Sequence, residues 1–443
     1  MLLQRGINTF EQAKAFFRPQ LTDLHNPFLM KDMDKAVARL QKAIANNESI
    51  IIFGDYDVDG TTAVALFYGF LKQHYSNIEY YIPDRYKEGY GVSYQGIDYA
   101  HEHGFTLMIT LDCGIKSTAH VAYAKERGID FIICDHHLPG SVLPEAVAVL
   151  DQKQADCNYP YKELSGCGVG FKFLQAYCIT EHIDQAQLFS YLDLLAISIA
   201  ADIVPIIGEN RIFAFYGLKV INENPRPGIK ALIEIAGIKN TVEISNVVFA
   251  FAPRINAAGR LAHARAAVEM MLAQNEENAL IFAKSINEHN TDRRELDSDI
   301  TAEAINMIEQ DENFSLAKST VLYKEDWHKG VVGIVASRCI EQYYRPTIIL
   351  TKSGEFATGS ARSVRGFDVY EAIAACDDLL EQYGGHMYAA GMTMKVENVN
   401  KFRERFDKVV TNNITEEQLS PVIEADVEIN LNQINPKFFN LIK

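Results

Sequence analysis

The sequence predicts an α/β protein in which a doubly wound parallel-sheet domain is joined by a long helical connector to a smaller α/β domain. Three observations predict this class. Short apolar runs alternate with helical patterns up to residue 150, a tract without Gly or Pro runs from Arg260 to Lys329, and a second alternation follows it. Alternating strands and helices are typical of parallel sheets with helices on both faces.

The first predicted elements are a helical segment and five strands. Residues 34 to 45 carry apolar side chains at helical spacing, so residues 1 to about 45 are predicted to be helical. Strands are expected at 49 to 53, 78 to 82, 107 to 111, 131 to 134 and 146 to 150, and helices at 61 to 74, 94 to 103 and 116 to 127. This order predicts a parallel sheet.

The rest of the chain is predicted to begin with helices and to end in a second α/β unit. Leu280, Ala283 and Ile286 recur at helical intervals within the tract that lacks Gly and Pro, which predicts the connector. Strands follow at 319 to 323, 346 to 351 and 355 to 361, and helices at 330 to 342, 368 to 381 and 398 to 410. The crevice between the two units is the expected substrate site.

Acidic side chains follow three of the predicted strands and one apolar helix. They are Asp55, Asp57 and Asp59 after the first strand, Asp112 after the third, Asp135 with His136 and His137 after the fourth, and Asp202 after the helix at 192 to 201. Because ligands collect at the carboxyl ends of strands in open α/β sheets, we expect these groups to meet in one crevice. Carboxylates with imidazoles and no paired thiolates favour Mn²⁺ or Mg²⁺ over structural zinc.

Each of these residues also has an ordinary structural role open to it. A single Asp after a strand is usually a helix N-cap or a turn residue, and a His-His pair is more often surface or core than ligand. Several carboxylates together argue against that role, because a buried carboxylate without a partner is costly and no basic residue lies beside them in the sequence. The sequence therefore predicts a site for divalent cations.

Composition sets broader limits. The chain has 443 residues, of which 48% are hydrophobic, enough to form the cores of two or three domains. It has no 18-residue apolar run, signal peptide or basic targeting segment, so we expect a soluble cytoplasmic protein with no membrane partner. None of its seven cysteines forms a C-x-x-C pair, as expected for free thiols in a reducing compartment.

The net charge of −16 argues against a broad basic surface for nucleic acid. Basic residues are nevertheless concentrated locally, because Arg254, Arg260 and Arg265 accompany a single acidic residue between positions 251 and 270. Local potential steers a strand into a groove. The sequence is therefore compatible with DNA binding that is salt-sensitive and confined to one channel.

Four short motifs resemble those of a known family. They are Gly54-Asp-Tyr-Asp-Val-Asp-Gly60, Leu111-Asp-Cys-Gly114, Asp135-His-His137 and Ala201-Asp-Ile-Val204. These motifs are similar to those of the DHH phosphoesterase superfamily and, within it, of the RecJ family of single-strand-specific DNA exonucleases. The resemblance continues in segments 252–260, 327–338, 359–363 and 384–391, and it covers the chain from Leu2 to about Gly391.

The resemblance implies a domain organisation. It comprises an N-terminal helical segment at 1–45, a DHH phosphoesterase domain at 46–225, the helical connector at 226–315, a DHHA1-type substrate domain at 316–412, and the truncated start of a C-terminal OB-type domain at 413–443. Other branches of the superfamily carry a His at the position of Phe53. The RecJ family lacks that His and has the additional Asp55, whose role as a direct metal ligand stays open at this point.

The resemblance also implies roles in two-metal hydrolysis of a phosphodiester. The implied ligands are Asp57 at one ion, Asp59 and His136 at the other, and Asp112 and Asp202 near or between both. His137 is expected to face the scissile phosphate as a hydrogen-bond donor or leaving-group acid. Asp135 is expected to orient a histidine.

Two further groups of residues are predicted to bind substrate. One resembles the phosphate anchor of DHHA1-type domains and comprises Ser360, Arg362 and Ser363 in a Gly-Ser-Ala-Arg-Ser turn, with Gly384, Gly385 and His386. The other comprises Arg254, Asn256 and Arg260, which can contact phosphates or bases without sequence preference. The structural alternatives are a Gly-rich hairpin with a solvated Arg for the first group and a helix-cap network for the second.

By this resemblance, the chain is predicted to be an exonuclease that hydrolyses single-stranded DNA from the 5′ end to 5′-mononucleotides, in DNA repair and recombination, with two Mn²⁺ or Mg²⁺ ions. A single-stranded-DNA-binding protein and a helicase are candidate partners. Two alternatives stay open: a phosphodiesterase for short oligonucleotides or small molecules on the same scaffold, and a non-catalytic DNA-binding scaffold. The polarity is implied by the resemblance alone.

Overall fold

The chain folds into two compact units. The computed structural model describes residues 2–261, 263–311, 314 and 316–442. The first unit is Lys14–Thr291, and the second unit is Asp292–Lys443 together with Met1–Ala13. This division passes through a helix of the predicted connector, so the domain boundaries predicted at residues 45, 225, 315 and 412 stay predictions, as does the OB-type start at 413–443.

The helices and strands of the described residues are numbered here in chain order. The helices are α1 Phe10–Phe17, α2 Met33–Ala45, α3 Val58–Leu71, α4 Tyr94–Glu102, α5 Thr118–Glu126, α6 Gly166–Thr180, α7 Gln185–Phe189, α8 Leu192–Ala201, α9 Gly208–Glu223, α10 Pro227–Ile235, α11 Ile244–Asn246, α12 Ala252–Leu261, α13 Arg265–Leu272, α14 Glu276–Gln310, α15 Val332–Tyr343, α16 Val369–Ala374, α17 Val399–Asn413 and α18 Pro436–Ile442. The strands are β1 Ile50–Gly54, β2 Ile78–Tyr81, β3 Leu107–Leu111, β4 Asp130–Cys134, β5 Ala148–Leu150, β6 Thr320–Tyr323, β7 Thr347–Ser353, β8 Phe356–Arg362, β9 Gln382–His386 and β10 Ala389–Lys395.

The first unit is built on a parallel sheet in the order β2-β1-β3-β4-β5. Successive residues of β1 enter different cores: Ile50 and Ile52 pack with residues of α2, α3 and α6, whereas Ile51 and Phe53 pack with residues of α4 and α5. Helices therefore cover both faces, and the predicted doubly wound sheet is confirmed. This strand order reverses between β1 and β3, which is where such sheets bind ligands.

The second unit contains a mixed sheet in the order β6-β7-β8-β10-β9. Only β6 and β7 run parallel; the other neighbours are antiparallel. The smaller α/β unit is confirmed, but two details of the prediction were wrong. The helix expected at 368–381 is shortened to α16 and is followed by a 3-10 turn at Asp377–Leu379. Residues 359 to 362 of the Gly-Ser-Ala-Arg-Ser segment lie in strand β8 rather than in a turn.

The predicted connector is confirmed as a helical region that ends in α14, a helix of 35 residues. Near its start, Ala279, Ala283 and Ile286 are buried in the core of the first unit. Further along, Ile300 and Ala304 are buried with residues of the second unit. The two apolar stretches explain why the helix is stable at both ends. Among the described residues, the helices are too short or too polar to cross a membrane.

Candidate active site

Three of the predicted carboxylates meet where the strand order of the first sheet reverses. Asp55 and Asp57 follow β1, Asp112 follows β3, and one oxygen atom from each lies within 4.8 Å of the others. Asp55 and Asp112 are buried. Oδ2 of Asp55 has no hydrogen-bond partner among the described residues. A buried carboxylate oxygen without a donor fits a cation, and Asp55 is as well placed for one as Asp57.

A second group consists of Asp59, His136 and Asp202, which also offer ligand atoms within 4.8 Å of one another. Nε2 of His136 lies 3.7 Å from Oδ2 of Asp59 and 3.6 Å from Oδ2 of Asp202. The same nitrogen lies 3.2 Å from Oδ1 of Asp112. Asp112 therefore lies beside both groups, in a position that a ligand shared by two ions would occupy.

The local backbone explains how two of these side chains are held. Asp57 is the N-cap of α3, and its side chain accepts a hydrogen bond of 3.0 Å from the N–H of Gly60. Asp57 thus caps a helix and also offers an oxygen atom to the first group. Asp112 has a φ of 60°, in the left-handed region that non-glycine residues seldom adopt and that is found at functional sites.

Asp59 is held by the N-terminus of α6. Its Oδ2 accepts a hydrogen bond from the N–H of Gly166 at 2.7 Å, and its Oδ1 accepts from the N–H of Cys167 at 2.9 Å and from the hydroxyl of Ser198 at 2.7 Å. These donors hold both oxygens of the Asp59 carboxylate in a fixed orientation. Gly166 also lies so close to Asp112 that a Cβ at Gly166 would come within 2.5 Å of Asp112 Cβ. The helix end therefore fixes Asp59 and Asp112 relative to each other.

Asp135 holds His137 rather than joining either group. Its Oδ1 lies 2.7 Å from Nδ1 of His137, and its Oδ2 accepts a hydrogen bond of 2.9 Å from the N–H of Ile115. Burial alone would raise the pKa of Asp135, but the hydrogen bond and charge of His137 lower it to about 2. Burial likewise opposes protonation of His137, yet Asp135 raises the pKa of His137 to about 9.

The remaining carboxyls repel one another. Burial, and then the charge of Asp57, raises the pKa of Asp55. Burial, and then Asp59, raises the pKa of Asp112 well above its usual value and that of Asp202 to about 8. Burial lowers the pKa of His136, which favours the neutral imidazole that binds metals. Oxygen-rich groups that repel one another, with one neutral imidazole, fit two divalent cations.

Sequence reasoning missed three residues around this site. The hydroxyl of Tyr90, in the loop between β2 and α4, lies 3.1 Å from Nε2 of His137. The guanidinium group of Arg85, in the same loop, lies 5.0 Å from the centre of the Tyr56 ring. No periodicity marks a single Tyr or Arg in a loop. Asp151 is different, because it directly follows β5 and is fully buried, so the strand-end rule could have found it.

The predicted arginine group lies on α12. Gly259 of this helix approaches the loop after β1 so closely that a Cβ there would come within 2.7 Å of the Tyr56 carbonyl oxygen. Arg254 donates hydrogen bonds to Oδ1 of Asn287 at 2.9 Å and to the carbonyl oxygen of Ala250 at 2.8 Å. Asn256 and Arg260 lie on the same helix. The structure thus places this helix beside the acidic site and gives Arg254 partners within the protein.

The predicted phosphate anchor lies on three strands of the second unit. Arg362 of β8 pairs with Ala389 of β10, which in turn pairs with His386 of β9. Ser360, Gly391 and Gly384 form the next row on the same face of the sheet. The small residues of β10 leave space between Arg362 and His386, whose strands are two strand spacings, or about 10 Å, apart.

The surroundings of Arg362 are polar. Its Nη1 donates to Oγ of Ser360 at 2.7 Å, and a Cβ at Gly333, in the first turn of α15, would come within 2.9 Å of its Nη2. Ser363 donates through its hydroxyl to the carbonyl oxygen of Phe367 at 2.7 Å. Gly385 lies in β9 next to His386, with a φ of 151°. These six predicted residues lie in one part of the second unit.

Two family models match the chain. The one described as the DHH family, N-terminal domain, matches residues 49–199, and the one described as the DHHA1 domain matches residues 315–412. The chain is 42% identical to the single-stranded-DNA-specific exonuclease RecJ of Bacillus subtilis, over 96% of this chain and 54% of that protein. It is 36% identical to the RecJ of Escherichia coli, over 86% of this chain and 70% of that protein. The chain thus spans about half the length of the Bacillus subtilis relative.

Solved structures agree with these matches. RecJ from Thermus thermophilus in complex with Mn²⁺ superposes with a TM-score of 0.80 at 29% identity, covering 93% of this chain and 58% of that one. Exonuclease RecJ bound to manganese superposes with a TM-score of 0.77 at 30% identity, covering 90% of this chain and 100% of that one.

Proposed function

The chain belongs to the RecJ family, which combines a DHH domain with a DHHA1 domain, and we propose that it is a metal-dependent exonuclease that degrades single-stranded DNA from the 5′ end to 5′-mononucleotides. The observation that carries the proposal is the presence of two ligand groups with Asp112 beside both: it belongs to the group of Asp55 and Asp57, and its Oδ1 lies 3.2 Å from Nε2 of His136. A single-stranded substrate follows the names of the relatives, and the polarity follows the family.

The ligand types decide which chemistry we propose. One ion would be held by Asp55, Asp57 and Asp112, and the other by Asp59, His136 and Asp202, with Asp112 close to both. Mn²⁺ or Mg²⁺ suits these oxygen-rich groups. Two such ions supply a polarised phosphoryl oxygen and a water of lowered pKa for in-line attack.

The remaining residues are proposed to orient the side chains of the site and to transfer a proton. Asp135 occupies Nδ1 of His137, so Nε2 is the nitrogen available to a phosphate oxygen or to the leaving oxygen. With a pKa of about 9, His137 carries a proton at neutral pH and can donate it. The N–H groups of α6 and the Ser198 hydroxyl would orient Asp59 toward its ion.

On the second unit, we propose that Arg362, Ser360 and His386 bind a phosphate group of the strand. A guanidinium group with neighbouring hydroxyls and an imidazole suits a phosphate, and the row of small residues on β10 leaves room for it. Arg260 and Asn256 on α12 are proposed to contact the strand near the acidic site. A single-stranded-DNA-binding protein and a helicase are the proposed partners, and the cytoplasm is the proposed compartment.

Single strands labelled at the 5′ or the 3′ end, incubated with Mn²⁺ or with EDTA, test the proposal. We expect the 5′ label to appear at once in a mononucleotide, the 3′-labelled strand to shorten gradually, and EDTA to stop both reactions. Release of the 3′ label first would contradict the polarity. Cleavage of dinucleotides but not of long strands would favour the small-substrate phosphodiesterase, and DNA binding without hydrolysis would favour the scaffold.

A pair of N-cap variants makes the test specific for the metal site. Asn caps a helix as well as Asp does, so Asp57→Asn should keep α3 capped while it removes a ligand charge, and we expect it to be folded and nearly inactive. Asp184 caps α7 through the N–H of Ala186 and belongs to neither ligand group. Asp184→Asn is therefore the matched control and should keep wild-type activity.

A further inference from the structure

The hydroxyl of Tyr90 contacts the imidazole that the proposed reaction uses. It lies 3.1 Å from Nε2 of His137, and the two rings meet edge to face with their centres 6.1 Å apart. Nδ1 of His137 is engaged by Asp135 at 2.7 Å, so Nε2 is the nitrogen left for a substrate. The Tyr90 hydroxyl therefore lies beside the position that a phosphate oxygen bound to Nε2 would take.

The loop around Tyr90 presents this side chain at the edge of the acidic site. Gly89 and Gly91 have φ values of 87° and 76°, which glycine adopts without strain. The N–H of Gly91 lies 3.5 Å from Oδ1 of Asp55, so the loop runs beside the carboxylates. Tyr90 is nevertheless 58% exposed, which leaves it accessible to a substrate.

The ring of Tyr90 also contacts a second aromatic ring. The ring of Tyr56 meets it edge to face at 6.3 Å, and Arg85 lies over the Tyr56 ring. Tyr56 lies between Asp55 and Asp57 in the sequence, so the support comes from the segment that carries the ligands. The position of the Tyr90 ring is therefore fixed by contacts with the Tyr56 and His137 rings, both of which belong to segments of the acidic site.

We propose that Tyr90 is a further catalytic residue, whose hydroxyl donates a hydrogen bond to an oxygen of the scissile phosphodiester beside Nε2 of His137. This inference rests on the proposed function and names a group that touches the reacting phosphate. Two polar groups 3.1 Å apart can converge on one oxygen atom, an arrangement that stabilises charge developing in a transition state. A tyrosine hydroxyl keeps its proton up to about pH 10, so it is a donor throughout the neutral range.

Tyr90→Phe tests the proposal, because it removes the hydroxyl and keeps the ring. Tyr94→Phe is the matched control: Tyr94 is exposed, and its ring packs on His120. Each protein is assayed with Mn²⁺ on single-stranded DNA and on bis(p-nitrophenyl) phosphate, a diester without bases. We expect Tyr90→Phe to lower kcat by about 10-fold to 100-fold on both substrates, with little change in KM, because a donor to a developing charge acts mainly in the transition state.

Calorimetric titration with Mn²⁺ gives a readout apart from activity, and we expect Tyr90→Phe to bind Mn²⁺ as the wild type does. Unchanged kcat on both substrates, or a loss of Mn²⁺ affinity, would overturn the inference. So would a loss confined to KM on DNA, since the ring would then stack on a base. If the wild type cleaves the small diester but not DNA, the proposed function fails while Tyr90 is still tested on the diester. Cleavage of neither substrate would overturn both.

Discussion

Asp112 lies beside both of the proposed ion positions. Its Oδ1 lies 3.2 Å from Nε2 of His136, and it also belongs to the group of Asp55 and Asp57. Mutation of a residue that only supports a metal ligand typically lowers metal affinity or activity by about 10-fold to 100-fold. We therefore expect Asp112→Ala to lower the rate of hydrolysis by more than about 100-fold. Calorimetry should show weakened Mn²⁺ binding at both positions.

The fold of this variant should survive, which thermal unfolding in EDTA can check. Burial and the charges of Asp59 and Asp57 raise the pKa of Asp112, so its removal relieves repulsion in the metal-free protein. We therefore expect Asp112→Ala in EDTA to unfold at a temperature no lower than the wild type. Wild-type turnover by the variant in excess Mn²⁺ would show that Asp112 is not a shared ligand.

Asp151 gives the metal-free protein a pH-dependent stability. It is fully buried after β5, and burial, the largest cause, raises its pKa to about 7. In the unfolded chain the carboxyl loses its proton near pH 4, so between about pH 4 and pH 7 the folded chain holds more protons than the unfolded chain. The free energy of unfolding therefore falls as pH rises through this window, and this contribution is constant above it.

Asp151→Asn should remove that fall. Relative to the wild type, the free energy of unfolding of the variant should rise between about pH 4 and pH 7 by a few kcal/mol, since one pKa unit corresponds to about 1.4 kcal/mol. Urea unfolding of both proteins in EDTA at several pH values measures the difference. If the difference in the free energy of unfolding between the two proteins were the same at all pH values, the pKa of Asp151 would be the same in the folded and the unfolded chain.

The grouping of the carboxylates of the acidic site could be predicted from the sequence because each one lies in the segment that follows a strand or a helix. Asp55, Asp112 and Asp202 each follow the carboxyl end of a different strand or helix. Hydrophobic patterning locates that end in the sequence. Tyr90 and Arg85 could not be found in this way. Their contacts with His137 and Tyr56 arise from the path of a loop, which no spacing in the sequence describes.

The N-terminus of α6 is the element that organises the site. Gly166→Ala would place a methyl group 2.5 Å from Asp112 Cβ, so the helix or Asp112 would have to move. Overpacking of this kind costs roughly 1 to 3 kcal/mol, and we expect lower thermal stability together with weaker Mn²⁺ binding.

Gly168→Ala on the same helix is the control. The nearest atoms to a Cβ at Gly168 lie 3.4 Å away, which is ordinary contact. We expect this variant to bind Mn²⁺ as the wild type does, and calorimetry and thermal unfolding compare the two. Equal losses in both variants would mean that the close approach of Gly166 to Asp112 is not what matters.

The strands β9 and β10 show where prediction of elements from sequence failed. Gly384 and Gly385 lie within β9, and Gly391 lies within β10, although glycine is a weak strand former. β10 pairs with β8 on one side and with β9 on the other, and this pairing overrides the weak strand propensity of glycine. The parallel strands of the first unit were easier to predict, because their residues are buried on both faces and form continuous apolar runs.

The division of the chain into two units should separate metal binding from substrate binding. The ligand groups belong to the first unit and Arg362 to the second. Hydrogen bonds to charged groups are worth roughly 1.5 to 3 kcal/mol, so Arg362→Ala should lower activity by about 10-fold to 100-fold or more. Mn²⁺ titration of the variant should match the wild type.

Arg365→Ala is the matched control in the same unit, because Arg365 is exposed and pairs with Glu424. It should keep wild-type activity on 5′-phosphorylated strands. Either unchanged activity of Arg362→Ala on these strands or a loss of its Mn²⁺ affinity would contradict a separate phosphate anchor.

For the whole molecule, the order of the strands and helices could be predicted from the sequence. The net charge, in contrast, was a poor guide to the function of the protein. Alternation of strands and helices predicted the parallel sheet and the second α/β unit, because each pattern follows from burial along the chain. The value of −16 is a sum over all residues, whereas the acidic site is a local group of buried carboxylates.

The repulsion that Asp57 exerts on Asp55, Asp112 and Asp202 has a consequence for the life of the protein. Ions that bind only the folded chain raise its free energy of unfolding by about 2.7 kcal/mol per site at 100 times their dissociation constant. A newly made chain would therefore reach its full stability only when it captures its ions. Proteases act on the unfolded fraction, so copies that have not captured ions would be degraded first, and metal supply would set the abundance of the protein as well as its activity.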